Sequence, residues 1–308
     1  MKRLPALFAL LLSATALAQT AKPAPSPAAA KAEPPEKEVV IKTTAVAQGI
    51  SMLEGEGGNI GVSAGEDGVL IIDDQYAPLS VKIKAAIAQL SPKPVRFVVN
   101  THFHGDHTGG NENFGNDGAV IVAHDNVRER LKVASVNGFG ESVPASPPKA
   151  LPIVTYANDL RLHLNGDELR VLHVRNAHTD GDSIVLFEKA NVIHGGDTLF
   201  FNGYPFIDTS SGGNVNGMID AEAKILELAN DATRIIPGHG LLGGKPEVRE
   251  LREMLILVRD RVKKLIAKKK SLNDVIDAKV TADLDAKWGH GFLKPEFFVT
   301  TVYRSLAK

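Results

Sequence analysis

Thr101-His102-Phe103-His104-Gly105-Asp106-His107-Thr108-Gly109-Gly110 follows directly on Val95-Arg96-Phe97-Val98-Val99-Asn100. The second run is apolar and β-branched and reads as a buried strand. The first holds three histidines and an aspartate within six positions, on the loop leaving that strand, where α/β proteins place their chemistry. In extended backbone His102 and His104, two apart, point the same way. Gly105 is expected to let the chain turn sharply, so that Asp106 and His107 leave from the far side and one loop faces two adjacent metal ions. Neutral imidazole and carboxylate suit zinc, and also iron or manganese.

Three later loops repeat the pattern of apolar run, nearby glycine and metal-ligating side chain. They place His178 after a strand ending at Val174, Asp197 after Asn191-Val192-Ile193, and His239 after Ile235-Ile236. The motif His102-x-His104-x-Asp106-His107, followed in order by His178, Asp197 and Gly238-His239, resembles the metallo-β-lactamase superfamily in its dinuclear hydrolase form, over about Val39 to Leu242. The resemblance implies an α+β fold, an αββα sandwich of two mixed β-sheets flanked by helices. It implies that His102, His104 and His178 hold one metal, that Asp106, His107 and His239 hold a second, and that Asp197 bridges them. Two Zn2+ are expected, with Fe or Mn also compatible. Two such ions about 3.5–4 Å apart share a water and lower its pKa toward about 7, giving a metal-bound hydroxide that attacks a carbonyl. Asp106 is then both ligand and catalytic residue, orienting that hydroxide. Asp73 and Asp74 are candidates to accept hydrogen bonds from the ligand histidines, or else a surface pair starting a turn.

The substrate expected is a small molecule: a β-lactam, lactone, ester or thioester. The best-known zinc β-lactamases carry a cysteine where Asp197 stands and a lysine three residues on, where this chain has Phe200. That counts against efficient β-lactam hydrolysis. The alternative is a metal-binding accessory protein of periplasmic redox or quinone-linked metabolism without hydrolytic activity.

Among 308 residues, 44% are hydrophobic and 23% charged, with a formal net charge of -1, so nothing indicates a nucleic-acid partner. With no cysteine, thiolate ligands and disulfides are excluded. Residues 1–18 read as a signal peptide, with basic Lys2 and Arg3, apolar Leu4 to Leu12, and Ala16-Leu17-Ala18 as cleavage site. Its apolar run is too short for stable membrane insertion after cleavage, so a periplasmic or secreted location is expected. Residues 19–38 read as a disordered Ala/Pro/Lys linker, and 39–308 as the metallo-β-lactamase-like domain. Oligomeric state is not legible.

Within that domain Val39-Val40-Ile41 is expected to start a strand. Asn59–Ala64 and Gly68–Asp73 form a hairpin, Leu79–Leu90 a helix, Asp220–Asn230 a helix, and Glu247–Lys270 the longest helix. Asn165-Gly166-Asp167 signals a hairpin turn. Ala134 to Pro152 has no period and is long for a connector, which suggests a lid or substrate loop. The stretch Asn202 to Asn214, holding Tyr204 and Asp208, is expected to line the pocket. His124, His163, His173, His194 and His290 lack a second ligand at metal spacing and read as core or surface residues.

Overall fold

Strand β4 (Gly68–Ile72) is buried on every residue, so it needs an apolar layer on each face. Side chains alternate along a strand. Val69 and Ile71 enter one cluster, with Leu79, Ile83, Ile87 and Phe114, while Leu70 and Ile72 enter another, with Val185, Phe187, Val192 and Ile236. On the far side Ile184, Leu186, Ile193 and Ile235 turn away from that shared layer into a third cluster built on helices. Three apolar clusters between four layers make an αββα sandwich, as the sequence implied.

The computed structural model describes residues 38–307. The expected signal peptide and nearly all of the linker lie outside the described residues. The chain runs β1 (Lys42–Ala47), β2 (Ile50–Glu54), β3 (Ile60–Gly65), β4, α1 (Ser80–Leu90), β5 (Val95–Val99), α2 (Gly105–Thr108), α3 (Asn111–Asn116), β6 (Val120–His124) and α4 (Asp125–Leu131). A small hairpin, β7 (Ser135–Val136) and β8 (Ser142–Val143), precedes β9 (Val154–Tyr156). The second half has β10 (Asp159–Leu164), β11 (Asp167–His173), β12 (Ser183–Phe187), β13 (Val192–His194), α5 (Val215–Leu228), β14 (Arg234–Ile236) and α6 (Lys245–Ala267), then α7 (Leu272–Asp277), α8 (Asp285–Trp288) and α9 (Pro295–Leu306). One sheet has the order β1-β2-β3-β4-β5-β6-β9 and the other β10-β11-β12-β13-β14. Both are mixed: the first turns parallel from β4 onward, the second only at β13–β14. Helices α1 and α3 cover the first sheet, and α5, α6 and α9 the second.

The two sheets are clasped at the end formed by their hairpin turns. Asn165 and Gly166 have φ of 55° and 73°, the left-handed pair of a type I′ turn. From that turn Asn165 exchanges two hydrogen bonds with Asp67 on the β3–β4 turn: Asp67 N–H to Asn165 Oδ1 at 3.0 Å, and Asn165 N–H to Asp67 Oδ2 at 2.7 Å.

Several boundaries differ from expectation. Strand β1 starts at Lys42 because its partner β2 ends at Glu54, which pairs with Lys42, so Val39 to Ile41 have no strand to pair with. Val81 of α1 is 79% exposed, since among its apolar residues only Ile83 and Ile87 reach the core fully. Helix α5 begins at Val215, capped by the Asn214 side chain accepting from Asn216 N–H, despite Gly217 in its first turn. Strands β7 and β8, within the segment of no clear period, and β9, just after it, were missed.

Glu222 of α5 lies wholly inside the helix-side core, and neither carboxylate oxygen has a hydrogen-bond partner. Burial raises its pKa well above 4.5, only partly opposed by Arg252. A carboxyl raised in the native state loses stability as pH climbs past its unfolded pKa. Glu222→Gln is therefore expected to be more stable than the native chain at pH 8, by about 1–3 kcal/mol. The gain should vanish near pH 4, as read by urea unfolding at both pH values.

Candidate metal centre

Strand ends deliver the site. Asp73 leaves β4, Thr101 to His107 leave β5, His178 follows β11, Asp197 follows β13 and His239 follows β14. Two groups of donors result: His102, His104, His178 and Asp197, then Asp106, His107 and His239, with ligand atoms inside each group within 4.8 Å of one another. All seven side chains named from the sequence thus meet at one place. Asp197 lies between the groups. Its Oδ2 is 3.5 Å from His178 Nε2 and 3.4 Å from His239 Nε2, and its Oδ1 is 3.0 Å from His107 Nε2.

Hydrogen bonds on the outer side of the rings fix which nitrogens face inward. His178 Nδ1 donates to Phe206 O at 2.8 Å, and His104 Nε2 donates to Asp208 Oδ2 at 3.1 Å. Their protons are committed there, so His178 Nε2 and His104 Nδ1 meet 2.9 Å apart as two bare lone pairs. Asp73 plays the same part for the other rings. His107 Nδ1 donates to Asp73 Oδ2 at 2.8 Å. Thr101 Oγ1 donates to the same oxygen at 2.7 Å and therefore accepts from His102 Nδ1 at 3.1 Å. That leaves His102 Nε2 pointing inward, buried and without a hydrogen-bond partner. Buried lone pairs facing one another without a proton between them are unfavourable, and a divalent cation is the group that relieves them. The donor set fits such an ion: imidazole and carboxylate, with no thiolate.

Asp73 adopts φ of 62°, a left-handed conformation rare for a non-glycine residue and costing about 1–3 kcal/mol. Thr101 N–H and Oγ1–H, and His107, hold it there. Asp74, the other candidate, turns away: its Oδ1 accepts from Gly110 N–H at 2.9 Å, and burial pushes its pKa well up. Both are buried, so the surface-turn alternative does not hold.

Burial pushes His178 down to about 4 and His102 well below 6.5, which keeps both as neutral donors. Burial also opposes charge on Asp197 and Asp106, but His107 above all holds both carboxyls well below the usual range. For His239 the burial effect is outweighed by Asp197 and Asp106, raising it to about 9. The carboxylates thus raise the imidazoles of the second group, His107 and His239, while burial keeps His102 and His178 of the first neutral. His102, His107 and His178 are fully enclosed, whereas His104, Asp106 and His239 keep 15–22% of their side chains exposed. Substrate can reach the centre on that side.

The stretch after Asp197 lines the site in part. Phe206 lies 5.9 Å from the His104 ring and 5.6 Å from that of His178, and Asp208 holds His104. Tyr204 does not belong there: it stacks on Phe298 at 4.5 Å and its hydroxyl donates to Asp285. Thr101 was missed, though its place beside His102 was visible. His124 and His173 stack on each other at 3.7 Å, and His194 bonds to Asn59 O. None of them joins the donors, as read from the sequence.

Gly105 does not make the expected sharp turn. It opens α2 in helical backbone, and a Cβ on it would touch nothing within 4 Å. The close approaches occur elsewhere. A Cβ on Gly238 would lie 2.0 Å from Asp197 Oδ1, and one on Gly58 would lie 2.1 Å from His107 Cε1.

A family model described as the metallo-beta-lactamase superfamily matches residues 53–239. The 2,4-dinitroanisole O-demethylase subunit alpha of Nocardioides sp. is 27% identical over 139 residues, covering 44% of this chain and 39% of that one. Hydroxyacylglutathione hydrolase of Nitrosococcus oceani is 30% identical over 165 residues, covering 53% and 55%. The matches thus span about half or less of these two relatives. The structure of a metallo-beta-lactamase from Pontibacter korlensis superposes with a TM-score of 0.58 at 17% identity, over 70% of this chain and 99% of that one, which shows a shared fold.

Gly238→Ala and Gly58→Ala should each cost about 1–3 kcal/mol in chemical unfolding, because backbone or ligand must shift to admit the methyl. Gly105→Ala, in the middle of the histidine motif, should leave stability unchanged or slightly raised. Equal losses at all three positions would contradict this geometry.

Proposed function

Because the chain belongs to the metallo-beta-lactamase superfamily, we propose that it is an exported dizinc hydrolase acting on a small carbonyl substrate such as a lactone, ester, thioester or β-lactam. The observation that carries the metal is the pair of proton-free nitrogens, His178 Nε2 and His104 Nδ1, held face to face at 2.9 Å. His102, His104, His178 and Asp197 would hold one cation, and Asp106, His107, His239 and Asp197 the other. When bound, the pair would lower the pKa of a shared water toward about 7 and polarise the substrate carbonyl.

The chain's own contribution is positional. Asp73 and Asp208 fix which nitrogen each of their partner histidines presents. Asp106 stays ionised beside His107 and His239, on the exposed side of the centre. There it can accept a hydrogen bond from an attacking water and aim it. Phe200 stacks on His239 at 5.0 Å, where a lysine would supply a cation for a substrate carboxylate. That arrangement supports a substrate without an anionic group at this point, and so argues against efficient β-lactam turnover. The relatives' names span O-demethylation of 2,4-dinitroanisole and hydrolysis of hydroxyacylglutathione and leave the substrate open.

Purified full-length protein should bind about two zinc ions per chain by elemental analysis. His102→Ala and Asp197→Ala should reduce that number and abolish turnover of whichever class is cleaved in a panel of nitrocefin, a homoserine lactone, a glutathione thioester and a phosphodiester. Protein without bound metal, or turnover indifferent to chelator, would end the proposal; metal without any turnover would favour the accessory-protein reading. Asp208→Ala, which frees His104 to rotate, should weaken zinc binding roughly 10- to 100-fold.

A further inference from the structure

Beside the metal centre, three separate segments bring phenylalanines together. The hairpin β7–β8 carries Gly138-Phe139-Gly140 at its tip. Phe139 stacks on Phe206 at 4.9 Å and on Phe297 at 5.5 Å, and meets Phe292 edge-on at 5.5 Å. Phe206 in turn packs against the His104 and His178 rings. Aromatic surface therefore runs without a break from two ligand histidines to the outside.

The hairpin is built to sit there. A Cβ on Gly138 would lie 2.6 Å from Phe206 Cζ and 3.4 Å from Asp208 Oδ1, so only glycine lets the tip approach this closely. Asn137 shapes the tip, its Oδ1 accepting from Phe139 N–H and Glu141 N–H. Yet Phe139 is 44% exposed and Phe292 81% exposed. Clustered aromatic surface left to water next to a reaction centre marks a binding surface. One cation on the Asp208 side of this wall is already committed. Arg130, whose charge reaches Asp208, makes a two-pronged pair with Asp180 at 2.7 Å and donates to Ser211 O.

We propose that Phe139, Phe206, Phe292 and Phe297 form a subsite for an uncharged apolar acyl or aryl group of the substrate, which extends outward from the scissile carbonyl at the metal centre. The proposal rests on the hydrolase reading and narrows its substrate class. It makes Phe139 and Phe292 specificity-determining residues.

Two measurements separate the subsite from the hydrolase reading. The first is binding of N-phenyl-1-naphthylamine, a neutral fluorescent probe, to the full chain after chelator treatment, which needs no catalysis. Phe139→Ala/Phe292→Ala should weaken binding by about fivefold or more. Val81→Ala, at an exposed apolar residue on α1 outside the aromatic cluster, should not. The second is kcat/KM of the zinc-loaded protein on 4-nitrophenyl esters from acetate to octanoate. It should rise by up to roughly three- to fourfold per methylene in the native chain, the rise flattening in the double variant. Loss of probe binding in the double variant with no ester cleaved by any form would keep the subsite and count against ester hydrolysis. Unchanged probe binding and an unchanged chain-length slope in a folded double variant would overturn the subsite. So would a native dimer in sedimentation that Phe292→Ala alone converts to monomer, because the exposed rings would then be an interface between copies.

Discussion

A single carboxylate oxygen, Asp73 Oδ2, receives hydrogen bonds from Thr101 and His107 and, through Thr101, determines the tautomer of His102 as well. An imidazole can bind a cation only with a nitrogen that carries no proton, so the ligand set is decided on the outer face of the rings. Asp73 serves one ring from each donor group, and Asp208 and Phe206 O serve the other two rings of the first. The left-handed backbone at Asp73 is the local cost of aiming that oxygen, and the buried contacts around it offset the strain.

With the rings oriented, the remaining requirement is that five loops from two sheets reach one point. Asn59 links them. Its N–H donates to Gly238 O, its side chain donates to Pro237 O and Gly240 O, and its carbonyl meets His194 Nε2. Thr101 O accepts from Ser183 N–H, joining the histidine loop to the second sheet. The glycines that matter are those under another residue's side chain, Gly58 beneath His107 and Gly238 beneath Asp197.

Much of this could be read from residues in order. The donors were legible because each follows a short β-branched run, and a strand end is where such a side chain is free to leave the sheet. The layer structure was implied by the family resemblance that those donors carry, and the strand runs, buried on both faces, fit it. What escaped depends on partners remote in sequence. Asp208 was visible only as one residue of a suggestive stretch, because its partner His104 lies far back in the chain. Tyr204 looked equivalent to Asp208 but falls on the α9 side of the same loop. Of the Asp73-Asp74 pair, only the backbone twist at Asp73 decides which carboxylate faces the histidines. Phe139 lies in a segment with no period, since a hairpin this short has no repeating face to bury.

The clasp between Asn165 and Asp67 sits where β3–β4 and β10–β11 turn, at the end of those strands remote from Asp73 and His178. The sandwich is therefore fastened at one end by this clasp and at the other by the hydrogen bonds of Asn59 and Thr101 together with the donors. The arrangement has the geometry of a clothes-peg. Repulsion among the donors would be expressed as a splaying of the jaws about a fixed spring, with the sheets kept from sliding past each other. The strands near the turns would keep their register while the jaws loosen, so the clasped rim would not depend on what the donors hold.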